Sequence, residues 1–179
     1  MRILGIDPGS RITGYGVIES QGNELGFVAC GTIRTAGEPD FGHRLLAIFS
    51  GLQDVAAQYA PEAAAVEEVF VARSPRSALK LGQARGAAVV AALSAGLSIF
   101  NYSPRLVKQS VAGYGQADKG QVRYMVRVLL GLNAEPSSDA ADALALNLCL
   151  LHLCVCSFWN PFFTLERRLK SLRLLAQWR

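Results

Sequence analysis

Four carboxylates, far apart in the chain, sit at the ends of apolar runs, and that placement constrains the fold more than any other feature. Asp7 closes the run Arg2-Ile3-Leu4-Gly5-Ile6 just before a Pro8-Gly9 turn. Glu67 closes Ala63-Ala64-Ala65-Val66. Asp139 and Asp142 open a long apolar stretch after Pro136-Ser137-Ser138. Strand alternation and helix spacing normally keep acids on solvated faces. An acid that ends a buried strand is expensive to desolvate unless something positive pairs with it. Several such acids at element ends point to one shared divalent-cation site. Hard cations such as Mg²⁺ take oxygen ligands, and two of them can clamp a phosphodiester during in-line displacement.

The charge distribution points the same way. The chain has 179 residues and a net charge of only +4, but the charges are segregated. From Arg73 to Arg127 there are nine Lys and Arg against one acid, Asp118. From Glu38 to Glu68 there are six acids against Arg44. A basic middle third beside metal-binding acids fits a polyanionic substrate, whereas solvated basic helix faces are the bland alternative. An apolar content of 51% excludes general disorder, and the length fits one domain with a full core. Of the four cysteines, Cys30, Cys149, Cys154 and Cys156, none forms a Cys-x-x-Cys pair, and His43 and His152 do not complete a zinc set. Buried free thiols in a reducing cytosol are the expectation, and the N-terminus reads as a strand rather than a signal peptide. The run from Ala140 to Cys156 is nearly continuous in apolar residues, but Asn147 and His152 interrupt it, so it reads as a buried core helix.

Three strands come first, at about 2–7, 13–20 and 25–35, with short Gly- and Asn-bearing breaks that predict antiparallel hairpins. Asp40 caps a helix running to Tyr59, with a predicted face of Leu45, Phe49, Leu52 and Val55 or Ala56. A strand at 63–69 follows. Ser74-Pro75 then starts a helix that Gly96 stops, and a strand at 97–102 comes next. Ser103-Pro104 starts a short helix ending near Gly113. Asp118 or Ala117 starts another that ends at Gly131, and the last begins near Ser138. Residues 113–120 read as a loop. The sum is an α/β fold: a mixed five-stranded sheet, three strands antiparallel and two parallel, with helices on both faces. The core is expected at 1–156. Residues 157–179 form an aromatic and basic tail, in which Leu165, Leu169, Leu172, Leu175 and Ala176 have amphipathic-helix spacing.

Several stretches together resemble the RuvC family of bacterial Holliday-junction endonucleases, in the ribonuclease H-like superfamily. They are GIDPGSRITGYGVI at 5–18, AVEEVF at 65–70, SALKLGQARG at 77–86, Lys108-Gln109, Ala117-Asp118-Lys119 and DAADALA at 139–145. They run in family order over about residues 1–147. Each alone is weak; together, at this spacing, they are specific. The apolar and aromatic stretch from Cys154 to Phe163 departs from the family's usual polar, basic end.

The resemblance implies a ribonuclease H-like fold and a homodimer that nicks two opposed strands of a four-way DNA junction. It implies Mg²⁺, two ions per site with Mn²⁺ able to replace them, and products with 5′-phosphate and 3′-hydroxyl ends. Carried over by motif, the metal and catalytic acids are Asp7, Glu67, Asp139 and Asp142. Glu68 neighbours Glu67, but adjacent strand residues face opposite sides, so only one joins the site; the family motif selects Glu67. Asp139 and Asp142 share a helix face, where the helix dipole eases two adjacent negative charges. Lys119 and Lys108 match lysines near the scissile phosphate. Phe70 matches an aromatic that stacks on unpaired bases, and Arg73 and Arg76 sit where backbone-phosphate contacts are expected. A branch-migration motor of the RuvA and RuvB type is the implied protein partner, and the compartment is cytoplasmic. Two rival readings stand beside this one. The first is an actin-like nucleotide phosphotransferase, from Asp7-Pro8-Gly9 with Gly14 and Gly16. The second is a junction-binding module without catalysis.

Overall fold

The computed structural model describes residues 1–21, 24–68 and 74–157, and for 154–157 the backbone alone. Five strands and five helices are ordered as β1 (Arg2–Asp7), β2 (Ile12–Gln21), β3 (Glu24–Arg34), α1 (Phe41–Tyr59), β4 (Ala63–Glu67), α2 (Pro75–Ser94), β5 (Ser98–Tyr102), α3 (Pro104–Ala112), α4 (Lys119–Leu129) and α5 (Ser138–Ser157). The strands form one sheet in the order β3-β2-β1-β4-β5. β1, β2 and β3 pair antiparallel, and β4 lies parallel to β1 and to β5. This is the mixed sheet that the element order predicts.

The parallel half decides where the acids go. Ile3 to Ile6 pair in register with Ala63 to Val66, so β1 and β4 reach their C-terminal ends side by side. Asp7 and Glu67, the next residue of each, therefore leave the sheet together. Above them in sequence, Ile3, Leu4, Ile6, Ala64, Ala65 and Val66 are fully buried, as strands covered on both faces must be.

Two cores flank the sheet. On one face α1 and α2 pack Ile48, Leu52, Ala84, Ala88 and Ala91 against Leu4, Ile6, Val17 and Val66. On the other, α3, α4 and α5 pack Val107, Val126, Leu144 and Leu150 against Ile3 and Ile18. The face of α1 is rotated from its sequence reading. Ile48 is fully buried, while Leu45 and Phe49 only flank the core. Three rather than four residues separate Ile48 from Leu45, and both spacings fit the same amphipathic stripe, so the pattern alone does not set its centre.

The predicted helix starts hold. The side chains of Asp40, Ser74, Ser103 and Asp118 each accept a backbone N–H three residues on, and Asp118 with Gln121 forms a capping box. Residues 113–118 connect α3 to α4, with Ala117 buried in the core. Strand β4 ends at Glu67, short of the predicted 69, although the Glu68 N–H still donates to the Tyr102 carbonyl. Among the described residues Cys30 and Cys149 are free thiols, and no helix is long and apolar enough to cross a membrane. The tail at 158–179 lies outside the described residues.

Candidate active site

Asp7 is held by the turn that follows it. Buried Thr13 receives the Gly9 N–H and donates its hydroxyl to the Gly9 carbonyl, while buried Thr35 donates to the Ser10 carbonyl. These bonds tie residues 8–11 to β2 and β3, so the strand end cannot fray. Glu67 is held by Arg85 of α2. The Arg85 Nε donates to the Glu67 carbonyl at 3.0 Å and its Nη2 to Asn101 Oδ1 at 2.6 Å. One guanidinium thus clamps the ends of β4 and β5 and brings positive charge beside the acids. Nothing in the sequence beyond its place in the SALKLGQARG stretch singles out Arg85, because its two partners lie on different strands.

Helix α5 supplies the remaining acids, and it lies unusually close to the sheet. A Cβ at Gly14 would stand 2.0 Å from the Asp139 carbonyl oxygen, and one at Gly5 would stand 1.9 Å from that of Ala143. Only a residue with no side chain fits under the helix at these two points. The seat carries the first turn of α5 over the C-terminal end of β1. Asp7, Glu67 and Asp142 meet there.

The electrostatics of that meeting are unfavourable without a cation. Asp7 is pushed up to about 8, first by burial, then by the negative charges of Glu67 and Asp142. Glu67 is also raised, chiefly by burial, with Asp142 adding to the effect. A hydrogen bond between the two carboxyls adds to the rise at Asp7 and works against it at Glu67. Lys119, the first residue of α4, answers part of this charge. Its Nζ donates to Asp142 Oδ2 at 2.8 Å, and its pKa is raised, first by that bond. The Asp142 side chain is 24% exposed and that of Lys119 73%, so the pair sits at the mouth of the cluster. Lys108 on α3 is half-buried, and its charge favours the ionised form of Glu67. Asp139 is half-buried in the first turn of α5, one helical turn before Asp142.

The donor set fits a hard divalent cation. Every group offered is a carboxylate oxygen, and the raised Asp7 and Glu67 mark a cluster short of positive charge. Among the described residues no three such side chains are drawn tightly enough to enclose an ion. The cation the cluster holds is the ammonium of Lys119. Arg76 is exposed in the first turn of α2. Phe70 and Arg73 lie outside the described residues.

The family profile described as crossover junction endodeoxyribonuclease RuvC matches residues 3–150. The chain belongs to the RuvC family. The RuvC crossover junction endodeoxyribonuclease of Alkalilimnicola ehrlichii is 56% identical over 151 residues, which is 84% of this chain and 91% of that protein. Among solved structures, Thermus thermophilus RuvC in complex with Holliday junction substrate is 38% identical, with a TM-score of 0.80 over 86% of this chain and 94% of that one. The yeast mitochondrial Holliday junction resolvase Ydc2, at 13% identity and a TM-score of 0.62, shares the fold. The RuvC match covers both strand ends and the first turn of α5, so it spans all four acids. It also displaces the nucleotide-phosphotransferase reading: Gly14 lies under a helix backbone here rather than cradling a phosphate. RuvC is a family of endonucleases, and this chain is placed among enzymes that hydrolyse DNA phosphodiester bonds.

Proposed function

We propose that this chain is a Mg²⁺-dependent endonuclease that resolves four-way DNA junctions by two symmetric nicks. The observation that carries the reading is the half-buried Asp7–Glu67 pair with Asp142 and Lys119 at its rim, in a member of a family of junction endonucleases. Asp7, Glu67, Asp139 and Asp142 hold Mg²⁺, which lowers the pKa of a bound water and neutralises the phosphate oxygens when present; Mn²⁺ serves in its place.

The chain's own residues do the rest. Asp7 and Glu67, ionised when the site is loaded, would offer only acceptor oxygens. Lys119 leaves Asp142 and turns to the scissile phosphate, where its ammonium offsets the charge that develops on the non-bridging oxygens. Lys108 supplies a second positive charge from α3. Water attacks the phosphorus and loses a proton to solvent, the bond from phosphorus to the 3′-oxygen breaks, and that oxygen takes up a proton from solvent, so the ends are a 5′-phosphate and a 3′-hydroxyl. Arg76 on α2, with Phe70 and Arg73, extends the contact along the DNA: the arginines to backbone phosphates, Phe70 to an unpaired base.

Two symmetric cuts need two sites, hence a homodimer. The support in this chain is the outer face of α2, where Leu79 is 70% exposed beside Pro75, Ala78 and Gly82, and where Val90 and Leu93 are also exposed. An apolar stripe of this kind on one helix fits a self-complementary contact about a two-fold axis. The nuclease unit is 1–156, the segment 157–179 is an appendage to it, the compartment is the cytoplasm, and a branch-migration motor of the RuvA and RuvB type delivers the junction. The test is a synthetic four-way junction with Mg²⁺ and mapped ends. Paired nicks at symmetric positions, unaffected by ATP, support the reading. Binding without cleavage would leave only a junction-binding protein.

A further inference from the structure

From Ala143 to Leu151 every residue of α5 is buried. Eight of these nine are Ala, Leu or Cys, and the ninth is Asn147, which is 0% exposed. A helix that is apolar on all sides gains nearly the same burial at neighbouring rotations about its own axis. Hydrophobic packing thus holds α5 down but sets its rotation weakly. Rotation nonetheless decides where Asp139 and Asp142 point.

Asn147 breaks that indifference. Its Nδ2 donates to the carbonyl of Gly16 at 3.0 Å, in the middle of β2, a strand paired on both sides. Its Oδ1 has no hydrogen-bond partner and stands 2.8 Å from where a Cβ on Gly5 would be. A buried amide with one unmet oxygen costs stability. A Leu, branched alike though larger, carries no such cost. Asn147 lies two turns along α5 from Asp139, on the stripe Asp139–Ala143–Asn147 that touches Gly14 and Gly5.

We propose that Asn147 is a positioning residue: its bond to the Gly16 carbonyl fixes the rotation and height of α5, and so sets Asp139 and Asp142 against Asp7 at the end of β1. The residue sits far down the helix from the acids and touches none of them. Its polarity is kept at the expense of stability because the bond selects one seating of the helix, as a single buried polar group can set register in a packed helix pair. The inference rests on the reading of the four acids as the Mg²⁺ and phosphodiester site.

The test uses the full chain with Asn147→Leu and Asn147→Ala. Three quantities are read: Tm in EDTA and in Mg²⁺, junction affinity in EDTA, and the single-turnover cleavage rate at saturating junction in Mg²⁺. Asn147→Leu is expected to keep or raise the metal-free Tm and to keep junction affinity within about twofold, yet to cut slower by about tenfold or more. Its Mg²⁺-induced rise in Tm is expected to fall to about half or less of the parent's, since the ligands no longer converge. Asn147→Ala leaves a cavity and lowers Tm, but well below that Tm its rate should match that of the Leu variant. An Asn147→Leu chain with parental rate and parental Mg²⁺ response overturns the proposal. So do losses that simply follow Tm through both variants, since that makes the amide a structural group. A parent that responds to Mg²⁺ but cuts no junction would sink the proposed function instead; the Mg²⁺ response of the variants would still decide the role of Asn147.

Discussion

Lys119 and Asp142 meet at 2.8 Å, from the first residue of α4 to the second turn of α5. Both helix N-termini point at the acid cluster, and both end dipoles favour negative charge there. The ion pair is therefore the outermost part of a larger arrangement that draws anions and positive charge to one place. Behind it lie the half-buried Asp7 and Glu67, both held above the usual carboxylate range. Three features of the sequence converge here: two strands that end in an acid, a helix that starts with two, and a lysine after a capping Asp118.

Replacing Asp7 by Asn should abolish cleavage, with a loss of about a hundredfold or more, and leave junction binding equal or tighter. A ligand oxygen is lost while repulsion of the phosphate falls. Glu67→Gln and Asp142→Asn should behave alike. Cleavage assays and binding in EDTA separate the two effects. An Asp7→Asn chain that cuts at the parental rate in Mg²⁺ would remove the metal-site reading.

The same pair makes stability depend on pH. Below about pH 4 Asp7 is protonated in both folded and unfolded chains and contributes nothing. As pH rises past the ordinary carboxylate value, the unfolded chain releases this proton while the folded chain keeps it. Each step costs stability until the folded group titrates near 8. Glu67, raised as well, acts in the same direction. In EDTA the Tm difference between Asp7→Asn and the parent should grow in favour of the variant from pH 5 to pH 8. In Mg²⁺ that trend should shrink or reverse. A difference that does not change with pH would mean that Asp7 is not protonated in the metal-free fold.

Much of this site was legible before any coordinates. An acid after Ile3-Leu4-Gly5-Ile6, and another after Ala63 to Val66, could only be strand ends, and the parallel pairing of those strands brought them together. What was not legible depends on contacts remote in sequence. Gly14 and Gly16 read as a phosphate-loop signal, but Gly14 proves to be a seat for the Asp139 backbone, 125 residues on. Asn147 read as an interruption in an apolar run, and its partner Gly16 lies 131 residues back. Arg85 had no visible partner until β4 and β5 were side by side. The centre of the α1 face was missed because Ile48 and the Leu45–Phe49 pair satisfy one periodicity equally well. Phe70 and Arg73 rest on motif position alone.

Strand register separates the two adjacent glutamates. Glu67 reaches Asp7, whereas Glu68 follows the end of β4, and the alternation of a strand turns it from the cluster. Glu68→Gln should cost less than about threefold in rate, against a loss of about a hundredfold or more for Glu67→Gln. Single-turnover rates at saturating junction decide this. Equal losses would place the register one residue away.

Binding and chemistry should respond differently to the lysines. Junction affinity should fall steeply with salt, since each phosphate contact releases counterions. Lys119→Ala should slow cleavage by about a hundredfold while weakening binding far less, because its charge is needed where the phosphorane charge develops. Lys108→Ala should act in the same sense with a smaller effect. Equal losses in rate and affinity would make both lysines docking contacts. An affinity indifferent to salt would argue against the basic middle third as the DNA face.

The last prediction concerns the division of the chain after α5. All four acids and both lysines precede Cys156, and α5 is buried from Ala143 to Leu151 in a core whose described residues all lie before Cys156. A chain ending at Cys156 should therefore fold, dimerise and cut a junction at a rate within about threefold of the full chain, because every acid and lysine of the site is kept. The removed segment carries Phe158, Trp159, Phe162 and Phe163 and then Arg167, Arg168, Lys170 and Arg173. Aromatics that dense need a cover, and the basic residues add nonspecific DNA affinity, so the shorter chain should bind duplex DNA more weakly and with a shallower salt dependence. The chain's two tryptophans, Trp159 and Trp178, both lie in this segment, so tryptophan emission reports on it alone. Blue-shifted emission in the full chain would show the aromatics covered, and its independence of protein concentration would assign the cover to the same chain or its dimer. A shortened chain that stays dimeric but no longer cuts would place the segment in the catalytic machinery and move the boundary of the nuclease unit beyond Cys156.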